Sequence, residues 1–419
     1  MTDSIRRVFL SYSAKDGPEV ETLDLALRRR GVPLWRDRTD LLKGRPAEDE
    51  IERAADQSSG FAFYLTSNAV LSEWVREKER DYALQNLKRK KGFGIVPIFR
   101  EDLKTLVAEF KRLGTGGPGA DYDIGRFNGY EMDLARIGRG DLDHEIAAAA
   151  DAVLLSLMET LRDGARAGDR LRIGLATRKG PGLNDLPLHL LLDWTADYEP
   201  LGRVPDATFY DRELDPALGA LANALRLWPG LALQLVPKCH LTMALAVGFK
   251  LRRNFSADLE VVEILTGETW AGPPVPRPPA PDLWTLKAKN PPKGSSPSPT
   301  LVVTIGISRP IARTVESFLT SSGLAYGRRL DFEPRPASSM TVLQGLAPDA
   351  AHRMSVAVRE AIVAAQNKIG QGDVHLFFAG PPAFAILLGQ QLANVGRIYA
   401  YEWLDSTSQY QPAFQLKSS

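Results

Sequence analysis

Apolar runs and amphipathic stretches alternate along the first 165 residues. Arg7 to Tyr12 contains Val8-Phe9-Leu10 without a polar break, the pattern of a strand buried on both faces. Residues 18–30 read as a helix, Val32-Pro33-Leu34-Trp35 as a short strand and Ala47 to Ala55 as a helix. Gly60-Phe61-Ala62-Phe63-Tyr64-Leu65 reads as a strand, Glu73 to Leu87 as a helix and Ile95-Val96-Pro97-Ile98-Phe99 as a strand. The run His144 to Leu161 closes the series near Gly164. Strands separated by helices of this length predict right-handed crossovers and a parallel sheet with helices on both faces.

A polar joint, Asp163 to Asp169, leads to a second series that begins at Leu171-Arg172-Ile173-Gly174-Leu175 and reaches about Trp270. A third starts at Leu301-Val302-Val303-Thr304-Ile305-Gly306. Ten of the 29 prolines fall between Gly272 and Pro299, a stretch that cannot form helix or central strand and predicts a surface loop. The second and third series resemble each other. Ile173-Gly174-Leu175-Ala176-Thr177-Arg178 parallels Ile305-Gly306-Ile307-Ser308-Arg309, and His240-Leu241 with Ala246 to Leu251 parallels His375-Leu376 with Leu387 to Leu392. The arginines are 131 residues apart and the histidines 135, which predicts duplication of a Rossmann-like unit. The expected fold is α/β: a flavodoxin-like domain over 1–165, then two fused Rossmann-like units over 170–419. Their halves fall at about 170–271 and 300–419, with the Pro-rich loop at 272–299 between them.

Composition narrows the chemistry. Apolar residues at 44% and charged residues at 25% exclude a collagen, a coiled-coil rod or extended disorder as the main architecture. Lys plus Arg number 52 against 51 Asp plus Glu, so no overall field gathers polymeric nucleic acid. The single cysteine, Cys239, excludes an intramolecular disulfide and a multi-thiolate zinc site. Five histidines show no metal-ligand spacing, and no metal is expected. No run approaches the ~20 apolar residues of a membrane span. The N-terminus lacks a cleavage site, so the expected location is cytoplasmic, with no membrane partner. There is no GxGxxG at a first βα turn, no P-loop and no acidic metal cluster, which argues against a nucleotide-metabolising Rossmann enzyme and a nuclease.

Several short motifs follow one another in the first 100 residues. Val8-Phe9-Leu10-Ser11-Tyr12-Ser13 with Asp16 precedes Gly31-Val32-Pro33-Leu34-Trp35-Arg36-Asp37 and the loop Asp40-Leu41-Leu42-Lys43-Gly44. Phe61 to Asn68 and Ser72-Glu73-Trp74-Val75 complete the set. In this order residues 6–100 resemble a TIR domain, with residues 40–44 where that family has its BB loop. The resemblance implies one of two activities: an interaction module, or an enzyme that cleaves the nicotinamide–ribose bond of NAD. In the enzymes an essential glutamate lies four residues beyond the tryptophan and four before a small residue. Here that position is Lys78, a departure. Glu79 lies five beyond Trp74 but four before Ala83, and Val75, Glu79 and Ala83 share a helical face. A helix entered one residue later gives Glu79 the family's place. Glu79 is therefore the candidate catalytic carboxylate and Glu77 the alternative.

A carboxylate suits the chemistry, because breaking the glycosidic bond leaves an oxocarbenium-like ribose that a nearby anion stabilises. Trp74 offers a ring to stack on a base or nicotinamide. Ser11 and Asp37, at strand ends, stand where open α/β sheets bind ligands and are candidate NAD contacts. The same residues have plainer readings: residues 73–81 as an exposed helix with i,i+4 charge pairs, Trp74 as core packing, Ser11 and Asp37 as helix caps. NAD enters as substrate and no cofactor is expected.

Near the C-terminus, Val374-His375-Leu376-Phe377-Phe378-Ala379 runs through Gly380-Pro381-Pro382 into an Ala-rich helix. Proline suits a first helical turn, and the backbone N–H groups there favour an anion such as phosphate. With the closing Tyr401-Glu402-Trp403, about residues 170–419 resemble a SAVED domain, a pair of fused CARF-like units that senses cyclic oligonucleotides. The resemblance implies a ligand lying between the halves. Candidate contacts are Thr177, Arg178 and Lys179 from the first half and Ser308, Arg309, Gly380, Pro381 and Pro382 from the second. Tyr401 or Trp403 would stack a base. A TIR–SAVED chain in turn resembles an effector of cyclic-oligonucleotide antiphage signalling (CBASS). The expected partners are a cyclic oligonucleotide, an adenine-containing cyclic trinucleotide being favoured, and further copies of the chain in a head-to-tail filament. The expected outcome is ligand-activated NAD hydrolysis to nicotinamide and linear or cyclised ADP-ribose. The alternative is a ligand-gated, non-catalytic TIR adaptor.

Overall fold

The computed structural model describes residues 7–417 apart from 42–45, 91, 114–126, 167, 180–182, 184–185, 199–203, 229, 252–258, 265–266, 272–278, 280, 293–295 and 336–347. The chain divides into two compact units. The first is Met1–Asp169 with Asn184–Leu192 and Asn223–Trp228; the second holds the remainder.

The first unit contains β1 (Val8–Ser11), α1 (Gly17–Arg29), β2 (Leu34–Trp35), α2 (Asp37–Asp40), α3 (Ala47–Gln57), β3 (Gly60–Leu65) and α4 (Ser67–Leu71). A π-helical turn (Trp74–Glu79), α5 (Arg80–Arg89), β4 (Gly94–Phe99), α6 (Leu103–Leu113), β5 (Tyr130–Glu131), α7 (Leu134–Gly138) and α8 (Leu142–Gly164) follow. The sheet order is β2-β1-β3-β4-β5 and the pairings are parallel. This is the predicted flavodoxin-like arrangement. The unbroken apolar strands are buried along their length, as a sheet covered on both faces requires. Phe9 stacks on Trp35 at 4.8 Å and on Phe61 at 4.5 Å, and Phe63 continues the row. Each buried phenylalanine contributes roughly 2–3 kcal/mol of transfer free energy. Strand order reverses between β1 and β3, so the crevice at their C-terminal ends is where such a sheet accepts ligands. Ser11 is the last residue of β1.

Residues 170–416 carry two sheets. The first runs β10-β9-β8-β6-β7, with β6 (Arg170–Ala176), β7 (Leu190–Asp193), β8 (Ala232–Lys238), β9 (Leu259–Val262) and β10 (Thr269–Ala271). The second runs β11-β13-β12-β14-β15-β16, with β11 (Trp284–Lys289), β12 (Leu301–Gly306), β13 (Arg328–Pro334), β14 (Val374–Ala379), β15 (Ile398–Leu404) and β16 (Gln409–Leu416). Setting β11 aside, the two orders superimpose strand for strand, β6 on β12 and β8 on β14. The predicted duplication is therefore present in the topology.

Two details differ from expectation. His240 and His375 are not counterparts: His240 is the N-cap of the helix Leu241–Lys250, whereas His375 lies inside β14. The residue matching His240 is Pro381, the N-cap of the helix Pro382–Gln391. Short apolar matches had aligned a strand end with a strand interior. The Pro-rich stretch also holds more than a loop. Its proline-free segment Trp284–Lys289 is β11, an antiparallel edge strand on β13, where flanking prolines cost no ladder bonds. Trp284 is buried and its Nε1–H donates to the Met354 carbonyl at 3.0 Å.

The two central helices cross on glycine. A Cβ at Gly248 would lie 2.0 Å from the Ile386 carbonyl oxygen, and one at Gly389 would lie 2.3 Å from that of Leu245. This backbone approach joins the halves of the repeat, and no larger residue fits it.

Candidate functional site

The first candidate site forms at the end of β1. The Ser11 hydroxyl donates to Glu79 Oε2 at 2.5 Å in a buried bond. Glu79 is 7% exposed and closes the π-helical turn that starts at Trp74. In a π turn the backbone bond runs from i to i+5, so one extra residue is absorbed. That accounts for a glutamate five residues beyond the tryptophan. The helix does not start late, as the sequence suggested; Glu73 is already helical, and the added residue sits within the turn. Val75 and Ala83 are buried on the same side as Glu79. Glu77 is only half-buried.

Burial pushes the Glu79 carboxyl up to about 7, the nearby charge of Asp37 adds to the rise, and the Ser11 hydrogen bond opposes it. Asp37 begins α2 and accepts a bond from the Tyr12 hydroxyl at 2.8 Å. The structure thus gathers Ser11, Asp37 and Glu79. It changes the part given to Ser11: at 1% exposure, its hydroxyl turned to Glu79, it supports the carboxylate instead of facing a ligand. Trp74 is 40% exposed, with Lys78 Nζ 5.6 Å from its ring centre. Lys78 covers one face of its ring in a cation–π contact, and the core-packing reading does not hold. In the predicted BB loop, Asp40 pairs with Arg7 at 3.0 Å and Leu41 packs on the edge of the core. Leu42, Lys43 and Gly44 lie outside the described residues.

The second candidate site lies at the strand ends of the second unit. Arg178, Lys179, Ser308 and Arg309 are exposed there. Thr177 is not an open hydroxyl: it is buried, and its Oγ1 accepts the His240 backbone N–H and lies beside His240 Nδ1, both at 2.7 Å. His240 stacks on Tyr198 at 4.6 Å. Burial first, and Arg178 second, lower its pKa to about 4, so the ring is neutral.

Gly380, Pro381 and Pro382 are half-buried at the start of the helix Pro382–Gln391. A Cβ at Gly380 would lie 2.6 Å from the Phe378 ring, so a larger residue there would have to displace that ring. Tyr401 cannot stack a base. It is in the core, stacked on Phe377 at 4.2 Å, and its hydroxyl lies 2.7 Å from His375 Nδ1. Trp403 is half-buried, with the Arg309 guanidinium 5.0 Å over its ring and Nε1–H bonded to Asp405 at 2.8 Å. That face is therefore occupied by a cation–π contact.

Glu402, between these aromatics, was not among the candidates. Its buried Oε2 accepts from Thr242 N at 3.0 Å and Thr242 Oγ1 at 2.7 Å. Burial raises its pKa, while the Thr242 bonds and the nearby Arg178 charge lower it. A glutamate inside an aromatic strand was the signal that something would receive it.

A family described as "TIR domain" matches residues 8–118. A second, SAVED, described as "SMODS-associated and fused to various effectors sensor domain", matches residues 213–416. No curated protein matches the chain. Among solved structures, the Acinetobacter baumannii Cap4 SAVED/CARF-domain containing receptor with the cyclic trinucleotide 2'3'3'-cAAA is similar at 16% identity, covering 99% of this chain and 100% of that one, with a TM-score of 0.46. The Moraxella osloensis Cap4 receptor is similar at 14% identity over 96% of this chain and 98% of that one, with a TM-score of 0.41. The TIR domain of the Toll-related receptor TRR-2 from Hydra magnipapillata matches 33% of this chain and 96% of its own, at 16% identity and a TM-score of 0.23.

Proposed function

Because the chain joins a TIR domain to a SAVED sensor domain, we propose that it is a ligand-gated NAD glycohydrolase serving antiphage defence. The observation that carries this reading is the buried Glu79 carboxyl, held by Ser11 beside Asp37 at the ligand-binding edge of a parallel sheet. NAD brings a cationic nicotinamide ring, whose charge favours the ionised form of Glu79. As the C1′–N bond breaks, its electron pair leaves with nicotinamide and positive charge passes to the ribose. The carboxylate stabilises that charge where it develops. Water adds to C1′ and releases a proton, giving ADP-ribose. Trp74 supplies a stacking face for the nicotinamide or adenine ring.

Gating follows from the second unit. A cyclic oligonucleotide, an adenine-containing trinucleotide by resemblance, bridges the loops bearing Arg178 and Arg309, whose guanidinium groups pair with its phosphates. Ligand binding favours head-to-tail association, because a heterologous contact that does not close extends into a filament. The loop from Asp40 of one copy then completes the Glu79 site of its neighbour. The ligand drives this by binding the assembled form more tightly than the single chain.

The adaptor alternative drew its support from the five-residue separation of Trp74 and Glu79, for which the π turn accounts. The test is NAD consumption by the wild type, Glu79→Gln and Glu77→Gln in the presence of cyclic tri-adenylate. Loss of at least ~100-fold in Glu79→Gln, with Glu77→Gln within a few-fold of wild type, is expected for the removal of a charge-stabilising group. Full activity in Glu79→Gln would overturn the assignment.

A further inference from the structure

Two adjacent residues of β15 lead to the two arginine-bearing loops of the second unit, Trp403 by direct contact and Glu402 by way of Thr242 and His240. Glu402 accepts both Thr242 bonds at the N-terminus of the helix Leu241–Lys250. The residue preceding that helix, His240, is bonded through its backbone N–H to Thr177, the neighbour of Arg178. Trp403, one residue on and facing the other way, carries the Arg309 guanidinium on its ring. A shift in the pairing of β15 with β16 falls at Ala400/Tyr401, just before the pair, and bulges of this kind re-aim side chains near sites.

The repeat shows that this arrangement is specific to one half. The registers Leu233↔Leu259 and Val374↔Ile398 place Glu263 and Glu402 at the same step of their strands. Both glutamates are buried. But the residue matching Thr242 is Ala383, which has no hydroxyl, and the residue matching Trp403 is Ile264, which has no ring for a cation. The helix N-terminus at Leu241 is also already filled by a carboxylate from the other half. A ligand phosphate is thereby directed to the arginine loops.

We propose that Glu402 and Trp403 act as a tie-bar that fixes the separation of the Arg178 and Arg309 loops and so selects the ring size of the cyclic oligonucleotide bridging them. This role presupposes the sensing function proposed above. A rigid span between two phosphate-binding loops accepts one ring diameter and leaves others with an unpaired phosphate or a distorted ring. Without the tie-bar the loops adapt to several diameters, and discrimination falls more than affinity.

The test is equilibrium binding of cyclic di-, tri- and tetra-adenylate to the full chain as wild type, Thr242→Val, Glu402→Gln and Trp403→Leu. Thr242→Val keeps the side-chain volume and the backbone bond, and so guards against a variant that fails to fold. The wild type is expected to prefer one ring by at least ~10-fold, about 1.4 kcal/mol. The variants are expected to bring that ratio within about threefold. An unchanged ratio in all three variants, even with weaker binding of every ring, would overturn the tie-bar while leaving the sensing function standing. A wild type that binds all rings equally would also overturn it. A wild type that binds none would overturn the sensing function itself, and the tie-bar with it.

Discussion

Ser11 and Glu79, 68 residues apart in the chain, share one buried hydrogen bond of 2.5 Å. A hydroxyl that donates to a carboxylate favours the ionised form and offsets part of the desolvation. Ser11→Ala should therefore raise the Glu79 pKa above its value of about 7. A charge-assisted bond is worth roughly 1.5–3 kcal/mol, so the acid limb of the NAD-cleavage pH profile should move up by about one to two units. Ser11→Thr, which keeps the donor, should restore the wild-type profile. An unmoved acid limb in Ser11→Ala would show that the bond does not tune Glu79.

The same burial carries a stability cost. The folded pKa of Glu79 lies above the unfolded value, so the penalty for ionising it is absent below about 4.5 and fully present above about 7. Glu79→Gln should therefore be more stable than the wild type at pH 8, by up to about 3 kcal/mol, with the gain shrinking toward pH 4.5. Denaturant unfolding at the two pH values measures it. An equal difference at both would contradict the assignment of the raised pKa to Glu79.

His240 shows the opposite sign. Its folded pKa of about 4 lies below the ordinary histidine value of 6.5, so the stability it contributes is present above 6.5 and is lost as pH falls toward 4. His240→Gln should lessen acid destabilisation between these limits. Unfolding midpoints of the two proteins at pH 7 and pH 4.5 should converge on acidification; a constant gap would contradict the buried neutral ring.

The joint between the halves of the repeat depends on two glycines. Gly248→Ala puts a methyl group 2.0 Å from the Ile386 carbonyl oxygen, a distance that backbone cannot relieve without parting the helices. A loss of at least ~3 kcal/mol is expected in chemical unfolding, at the upper end of overpacking effects. Gly219→Ala, inside the helix Asp215–Arg226 with open space at its Cβ, serves as the comparison and should stabilise by about 0.5–1 kcal/mol.

Much of this architecture was legible in the chain. Unbroken runs such as Gly60–Leu65 mark strands buried on both faces, and that strand forms with the predicted bounds. The Glu79–Ala83 spacing pointed to the carboxylate that the structure buries against Ser11, but nothing in residues 73–81 distinguishes a π turn from a late helix start; the backbone resolves it only through packing. The repeat was visible as two apolar strands, each running into a hydroxyl residue and an arginine, although the strand registers match Thr177 to Ile307, one residue before Ser308. It was misaligned at the histidines because unequal loops precede the second pair of strands, and apolar matches tolerate a slip. Tyr401 and Trp403 share one face of β15, and sequence alone could not say that Tyr401 enters the core while Trp403 stays half-buried at its edge. Glu402 escaped notice because its partner, Thr242, is 160 residues away.

The central claim is that a cyclic oligonucleotide held by the second unit switches on Glu79-dependent NAD cleavage in the first. It is tested most directly by a fluorogenic NAD-cleavage assay on the purified full chain, alone and with cyclic di-, tri- and tetra-adenylate in turn. Cleavage with one ring, near silence without it and none in Glu79→Gln is the predicted result. Equal cleavage with and without every ring, or binding of a ring with no cleavage at all, would contradict it.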